Sequence, residues 1–167
     1  EGTHAAVQAV LAHAKCPVVL DADGINVLQG HIDVLRGAAC PVILTPHDGE
    51  FARLAGRPVG ENRLQAAREL SLQTGATVLL KGHRTVIYGT DRCYVNCTGN
   101  PGMATGGSGD VLAGVIVSLL GQGLTPVQAA AAGAWLHGAA GDRCARRLGE
   151  FGLLPSDLLQ ELPRLLK

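Results

Sequence analysis

Val18-Val19-Leu20-Asp21-Ala22-Asp23-Gly24 is a short, β-branched, fully apolar run that ends in carboxylates and a glycine. A strand buried on both faces of a parallel sheet has this composition, with polar residues collecting at its carboxyl edge. The pattern recurs as Val42-Ile43-Leu44, which ends in Thr45-Pro46-His47-Asp48-Gly49-Glu50. It recurs again as Thr77-Val78-Leu79-Leu80, which ends in Lys81-Gly82-His83. A helix is expected over residues 3–14, with Val7, Val10 and Leu11 on one side and Pro17 beyond its end. A second, amphipathic helix is expected over 61–74, with Leu64, Ala67, Leu70 and Leu72 as its apolar positions. Buried strands alternating with helices imply an α/β fold with parallel pairing through right-handed crossovers. Ligands of such sheets bind beyond the carboxyl ends of the strands, so Asp21, Asp23, His47, Glu50 and Lys81 are expected to gather there.

After Lys81 the pattern changes. Residues 85–88 and 92–96 flank Gly89-Thr90-Asp91 and read as a β-hairpin. Its second strand leads into Asn96-Cys97-Thr98-Gly99-Asn100-Pro101-Gly102-Met103-Ala104-Thr105-Gly106-Gly107-Ser108-Gly109-Asp110. Five glycines fall in that stretch, and Val111, Leu112, Val115, Ile116, Leu119 and Leu120 then recur at helical spacing. A glycine loop that feeds a helix N-terminus presents unpaired N–H groups and a partial positive charge, which favours an anion and phosphate above all. The stretch is neither a P-loop, lacking the Lys-Ser/Thr ending, nor a dinucleotide fingerprint, since Leu112 stands where the third glycine would be. A carboxylate at Asp110 costs Coulomb energy beside an anion unless it takes a proton or holds Mg²⁺. The alternative is a structural glycine turn with Asp110 capping the helix.

Thr125-Pro126-Val127-Gln128 combines a capping box with proline at the first helical position and opens a helix that continues to about residue 145. Gly133, Gly138 and Gly141 inside it imply close packing against a neighbour, since each costs about 1 kcal/mol relative to Ala. His137 on this helix reads as a packed histidine rather than a ligand. Pro155-Ser156-Asp157 opens a last leucine-rich helix, expected to cap the core and to bend or end at Pro163.

The 167 residues suit one domain, taken as 1–167, and 47% are apolar against 17% charged, a globular composition. Fourteen basic and fourteen acidic residues cancel, and with 3% aromatic residues there is no basic patch for a nucleic acid. No apolar run reaches membrane-spanning length. Cys16, Cys40, Cys93, Cys97 and Cys144 are odd in number and irregular in spacing, which points to reduced cytoplasmic thiols rather than disulfides or zinc. Cys97 lies close to the glycine loop, but a small buried residue is the simpler account of it.

Each candidate at the strand edges carries two readings. Lys81 suits phosphate as a flexible point charge, or is a surface lysine. Asp21 and Asp23 can hold Mg²⁺ through water, or cap the following helix. His47 and Glu50, one helical turn apart, can face a ligand together; alternatively Thr45 or Asp48 caps a helix whose dipole Glu50 complements.

Taken in order, residues 19–24, Leu44-Thr45-Pro46-His47-x-Gly49-Glu50-Phe51-x-Arg53-Leu54, Leu80-Lys81-Gly82 and 98–112 resemble the ADP/ATP-dependent NAD(P)H-hydrate dehydratases. The resemblance implies a ribokinase-like three-layer sandwich, a mostly parallel sheet with helices on both faces. It implies a metabolite-repair reaction: ATP or ADP phosphorylates the C6 hydroxyl of hydrated NADH or NADPH, and loss of phosphate restores the nicotinamide double bond. By motif, Lys81, Gly82, His83, Arg84 and Thr85, together with Asn100, Gly102, Met103, Ala104, Thr105, Gly106, Gly107, Ser108 and Gly109, would contact the nucleotide. His47, Asp48, Gly49, Glu50, Phe51 and Arg53 would line the hydrated-nicotinamide site. Asp110 would be the general base facing that substrate, and Mg²⁺ would bridge phosphates. Asp48 departs from the proline usual in the family. Glu1-Gly2-Thr3 resembles the tail of a Gly-Leu-Gly-Thr segment, so the chain is expected to lack the amino-terminal part of the domain. A homo-oligomer and a companion NAD(P)H-hydrate epimerase are also expected. Other readings are a small-molecule kinase of the same fold, acting on a vitamin precursor or a sugar, and a nucleotide-binding piece without catalysis.

Overall fold

The computed structural model describes residues 2–89 and 92–166. Five strands, β1 (Val18–Leu20), β2 (Val42–Leu44), β3 (Thr77–Leu80), β4 (Val86–Gly89) and β5 (Arg92–Val95), form one sheet in the order of the chain. The pairs β1–β2 and β2–β3 are parallel, whereas β3–β4 and β4–β5 are antiparallel, so every strand but β4 runs the same way. The hairpin closes with Gly89 opposite Arg92; its expected turn at Thr90 and Asp91 lies outside the described residues, as does Glu1.

Period-two alternation along the strands sets the layers. Leu20, Val42, Leu44, Val78, Leu80, Val86 and Tyr88 point to one face, where they pack with Leu11 of α1 (Gly2–His13), Phe51 and Leu54 of α3 (Asp48–Ala55), and Ala67 and Leu70 of α4 (Arg63–Thr74). Ile43, Leu79 and Ile87 point to the other, against Leu112 and Ile116 of α5 (Ser108–Gly121) and Val127, Ala130 and Ala134 of α6 (Pro126–Leu148). The result is the three-layer α/β sandwich expected. A short α2 (Asp23–Asn26) follows β1, and α7 (Pro155–Leu165) packs Leu158 on Ala140 and Cys144 of α6. Pro163 falls in the last turn of α7. No helix among the described residues is long and apolar enough to cross a membrane.

Two amphipathic assignments are corrected. On α1, Val10 is 49% exposed and only Leu11 is buried. On α4, Leu64 and Leu72 are exposed and the buried face is Ala66, Ala67, Leu70, Ser71 and Thr74. Polar residues sit on that face because their hydroxyls serve the turn into β3. Ser71 Oγ donates to the Ala76 carbonyl at 2.7 Å, and Thr74 Oγ1 accepts from Ala76 N at 3.2 Å. Gly75, at φ +75°, ends α4 in the αL conformation, and its own N–H donates to Ser71 O at 2.8 Å.

Candidate active site

The carboxyl ends of β1, β2 and β3 lie at one edge of the sheet, and main-chain bonds extend the ladder past them. Thr45 N donates to Leu20 O at 3.1 Å and Lys81 N to Pro46 O at 2.8 Å. At that edge Lys81 Nζ stands 2.7 Å from Asp21 Oδ1 and 3.7 Å from Glu50 Oε2. Glu50 is 4% exposed, so this is a buried carboxylate with a shared cation. Lys81 is thus first a tie between strand edges, with its ammonium already engaged by two carboxylates.

His47 is itself the cap of α3, which replaces the expected cap at Thr45 or Asp48. Its Nδ1 accepts from Gly49 N at 3.0 Å and Glu50 N at 3.3 Å, and its own N–H donates to Glu50 Oε2 at 2.8 Å. Acceptance at Nδ1 places the proton on Nε2, which lies 3.4 Å from Glu50 Oε1. Thr45 is buried, and its hydroxyl donates to Leu20 O at 3.2 Å. Asp23 does not join the cluster: it is exposed in the first turn of α2, and among the described residues its carboxylate accepts only from Asn26, at 3.4 Å. Nor does Asp21 cap α2, whose N-cap is Ala22 without a side-chain bond. Ala22 holds φ 48° and ψ −118°, and Gly24 N donates to Asp21 O at 2.9 Å. That is a turn position favouring glycine, so strain is concentrated beside the Lys81 partner.

The glycine loop behaves as its composition requires. Gly107, at φ +92°, is the N-cap of α5 and offers no side-chain bond. Ser108 N donates to Thr105 O, while the amides of Gly106, Gly107, Gly109 and Asp110 have no protein acceptor among the described residues. A Cβ at Gly109 would stand 3.2 Å from Asp21 Oδ2 and 3.6 Å from Lys81 Nζ, so this turn seats directly on the charged edge. Asp110 does not cap the helix: it is exposed, and its carboxylate has no hydrogen-bond or ion-pair partner among the described residues.

A cleft of about 910 Å³ opens between this loop, the strand edge and α6. His47, Lys81, Gly82, His83, Arg84, Thr85, Asn100, Met103, Ala104, Thr105, Ser108 and Gly109 line it. The other motif residues lie elsewhere. Phe51 is fully buried in the core, with the Arg57 guanidinium 5.5 Å from its ring centre. The Glu50 carboxylate is turned into the Lys81 cluster. Asp48 accepts from Arg63 at 2.8 Å, and Arg53 donates to Asn26 Oδ1 at 2.8 Å. Gly49 stays in the first turn of α3. A Cβ at Gly102 would stand 2.8 Å from Glu150 Cα, and one at Gly107 3.4 Å from Pro155 Cγ, so both face α7 and its approach. Gly106 and Asp110 continue the exposed amide-bearing turn outside the cleft wall.

Sequence reasoning missed Asn96, Thr98 and the lining role of His137. His137 Nε2 lies 2.9 Å from Ser108 O and 3.3 Å from Ser108 Oγ, so the packed histidine grips the first residue of α5. Burial drives its pKa down to about 4; the bond to the Ser108 carbonyl opposes this and the Lys81 charge adds to it. A depressed pKa stabilises the fold fully above the ordinary value of 6.5 and loses that contribution as pH falls toward 4. The His137-dependent loss of unfolding free energy across that window is expected to reach about 3 kcal/mol. Urea denaturation between pH 7 and pH 4 checks it, because His137→Gln should flatten the slope. Identical slopes for the two proteins would refute it.

An exposed amide turn at a helix N-terminus is thus set on the carboxyl edge of a three-layer α/β sandwich, beside the cleft. A ribokinase-like superfamily protein from Enterococcus faecalis shares the fold, with a TM-score of 0.82 and 34% identity over 97% of this chain and 57% of that one. The ADP/ATP-dependent NAD(P)H-hydrate dehydratase of Bacillus subtilis, co-crystallised with ATP and Mg²⁺, superposes with a TM-score of 0.83 and 37% identity, over 96% of this chain and 57% of that one. The bifunctional NAD(P)H-hydrate repair enzyme of Moorella thermoacetica is 50% identical over 165 residues, 96% of this chain and 31% of the relative. The family model for NAD(P)H-hydrate dehydratase matches residues 1–164. The chain belongs to the NAD(P)H-hydrate dehydratase family. It spans about a third of the Moorella relative and somewhat over half of each of the two solved chains.

Proposed function

We propose that this chain acts in the ADP/ATP-dependent dehydration of hydrated NADH or NADPH. The observation that carries the reading is the turn at the head of α5, where amides without an acceptor among the described residues stand next to Asp110, a carboxylate without a partner among them. The amides of Gly106, Gly107 and Gly109 suit the phosphates of a nucleotide laid along the cleft past residues 81–85 and 100–105. Asp110 takes the proton of the substrate C6 hydroxyl, and that oxygen attacks the terminal phosphorus of ATP or ADP. The bridging P–O bond breaks and the shortened nucleotide leaves. The C6–O bond of the phosphate ester then breaks, inorganic phosphate departs, and loss of a proton from the neighbouring carbon restores the ring double bond. Such transfer needs positioning and charge neutralisation more than covalent help.

Among the described residues no group of three or more His, Cys, Asp or Glu is placed to hold a metal. That suits Mg²⁺, which keeps several waters and binds through phosphates and one or two carboxylates. Asp21 Oδ2, turned toward Gly109, is the oxygen that would hold its water shell. When bound, the ion offsets phosphate charge. The lining residue His47 and the neighbouring α3 turn support a hydrated-nicotinamide site at the same cleft. The bifunctional NAD(P)H-hydrate repair enzyme of Moorella supports pairing with a second repair activity, for which we propose the NAD(P)H-hydrate epimerase.

The test is direct. The protein incubated with hydrated NADH, Mg²⁺ and ATP or ADP should restore the absorbance of the reduced nicotinamide, with inorganic phosphate released in equal amount. A stable phosphorylated product without that recovery would indicate a kinase of the same fold, and ATP binding without turnover a non-catalytic module.

A further inference from the structure

We infer that Asp142, on α6, is a positioning residue that sets the shape of the turn at the mouth of the nucleotide cleft. Its two carboxylate oxygens have separate tasks. Oδ2 accepts from Gly99 N at 3.0 Å, and Oδ1 accepts from Asn100 Nδ2 at 3.0 Å. Asn100 Oδ1 in turn accepts from Gly102 N at 3.1 Å. One carboxylate therefore fixes Gly99 directly, and Gly102 through Asn100. Bonds to an ionised acceptor are the stronger kind, which suits a clamp on an otherwise glycine-rich segment.

The rest of α6 is shaped to receive the same segment. Asn96 Nδ2 donates to Ala134 O at 3.2 Å, and Thr98 Oγ1 to Trp135 O at 3.0 Å. A Cβ at Gly138 would stand 2.7 Å from the Thr98 carbonyl carbon, and one at Gly141 would stand 2.8 Å from Met103 Cε. The backbone of α6 thus lies against residues 98–103, and Asp142 closes the series one residue after Gly141. Gly99, Asn100 and Met103 all line the cleft, so the clamp lies behind its wall and touches no reacting atom.

The consequence for nucleotide affinity rests on the function proposed above; the clamp itself does not. Asp142→Asn keeps one acceptor for Gly99 but turns an NH₂ group on the amide of Asn100, two donors face to face. In the absence of nucleotide, amide exchange over residues 99–102 is expected to quicken at least tenfold, while β2 and β3 keep their protection as a folding control. The dissociation constant for ATP, measured by calorimetry, is expected to rise at least tenfold, with kcat at saturating ATP falling much less. The exchanged pair Asn100→Asp with Asp142→Asn restores all three bonds, with donor and acceptor reversed only in the bond between the two side chains, and should recover the exchange protection. Unchanged exchange in Asp142→Asn overturns the clamp. Quickened exchange with unchanged ATP affinity overturns its positioning role. A wild-type protein that fails to bind ATP overturns the functional reading instead, and the exchange measurement still decides the clamp.

Discussion

Lys81→Met is expected to lower the unfolding free energy by about 3–5 kcal/mol, because it strands the carboxylates of Asp21 and Glu50 without their cation. The side chains of Asp21 and Glu50 are 17% and 6% exposed, so water can take over from the ammonium only in part. Exposed pairs behave otherwise: their loss costs about 0–1 kcal/mol, since solvent screens both partners. The magnitude therefore reports burial as well as contact. Glu50 has a further commitment, its Oε2 accepting from His47 N at 2.8 Å, so it cannot swing out to water without uncapping α3. The measurement is urea unfolding of the wild type, Lys81→Met, Glu50→Gln and the double variant, with the m-value held as a check on two-state behaviour. The double variant should be less destabilised than the sum of the singles, because Gln needs no cation. A loss below about 1 kcal/mol for Lys81→Met would show an ordinary surface pair and leave Lys81 free for phosphate alone.

The strands were legible because β1, β2 and β3 are continuous apolar runs, as strands covered on both faces must be. The head of α5 was legible for a similar reason, since glycines followed by apolar residues at helical spacing have few other solutions. The buried face of α4 was not. Ser71 and Thr74 count as polar in any periodicity, yet their hydroxyls are spent on Ala76 and Leu70, which makes burial tolerable. The Lys81–Asp21 contact joins residues 60 apart in the chain and has no local signal beyond their shared place at strand ends. Phe51 illustrates a different limit. It belongs to a motif of which His47 lines the cleft, but its position on α3 turns it into the core. Asp142 is an isolated acid in an Ala- and Gly-rich helix. The available clue was Gly138 and Gly141 on the turn before it, which announce a close neighbour without naming it.

Asp110→Asn is expected to reduce turnover by about 10²–10⁴-fold, the usual worth of a positioned general base, and to leave the fold and nucleotide affinity nearly unchanged. A structural role needs a partner, and the Asp110 carboxylate has none among the described residues; Gly107 already occupies the cap position of α5. Its removal should therefore shift stability by no more than about 0.5 kcal/mol, as for other exposed positions without contacts. The sign of the affinity change is informative. A carboxylate beside the amides that receive phosphate repels the nucleotide, so neutralising it should hold ATP affinity constant or tighten it. An anion-binding turn thus keeps a residue that opposes binding, which is reasonable only if that residue acts on the hydroxyl proton in the transition state. Calorimetry with ATP alongside the absorbance assay separates the two quantities. Equal losses of affinity and turnover would instead make Asp110 a structural element of the α5 turn, and the base would have to be sought at His47 or elsewhere on the cleft wall.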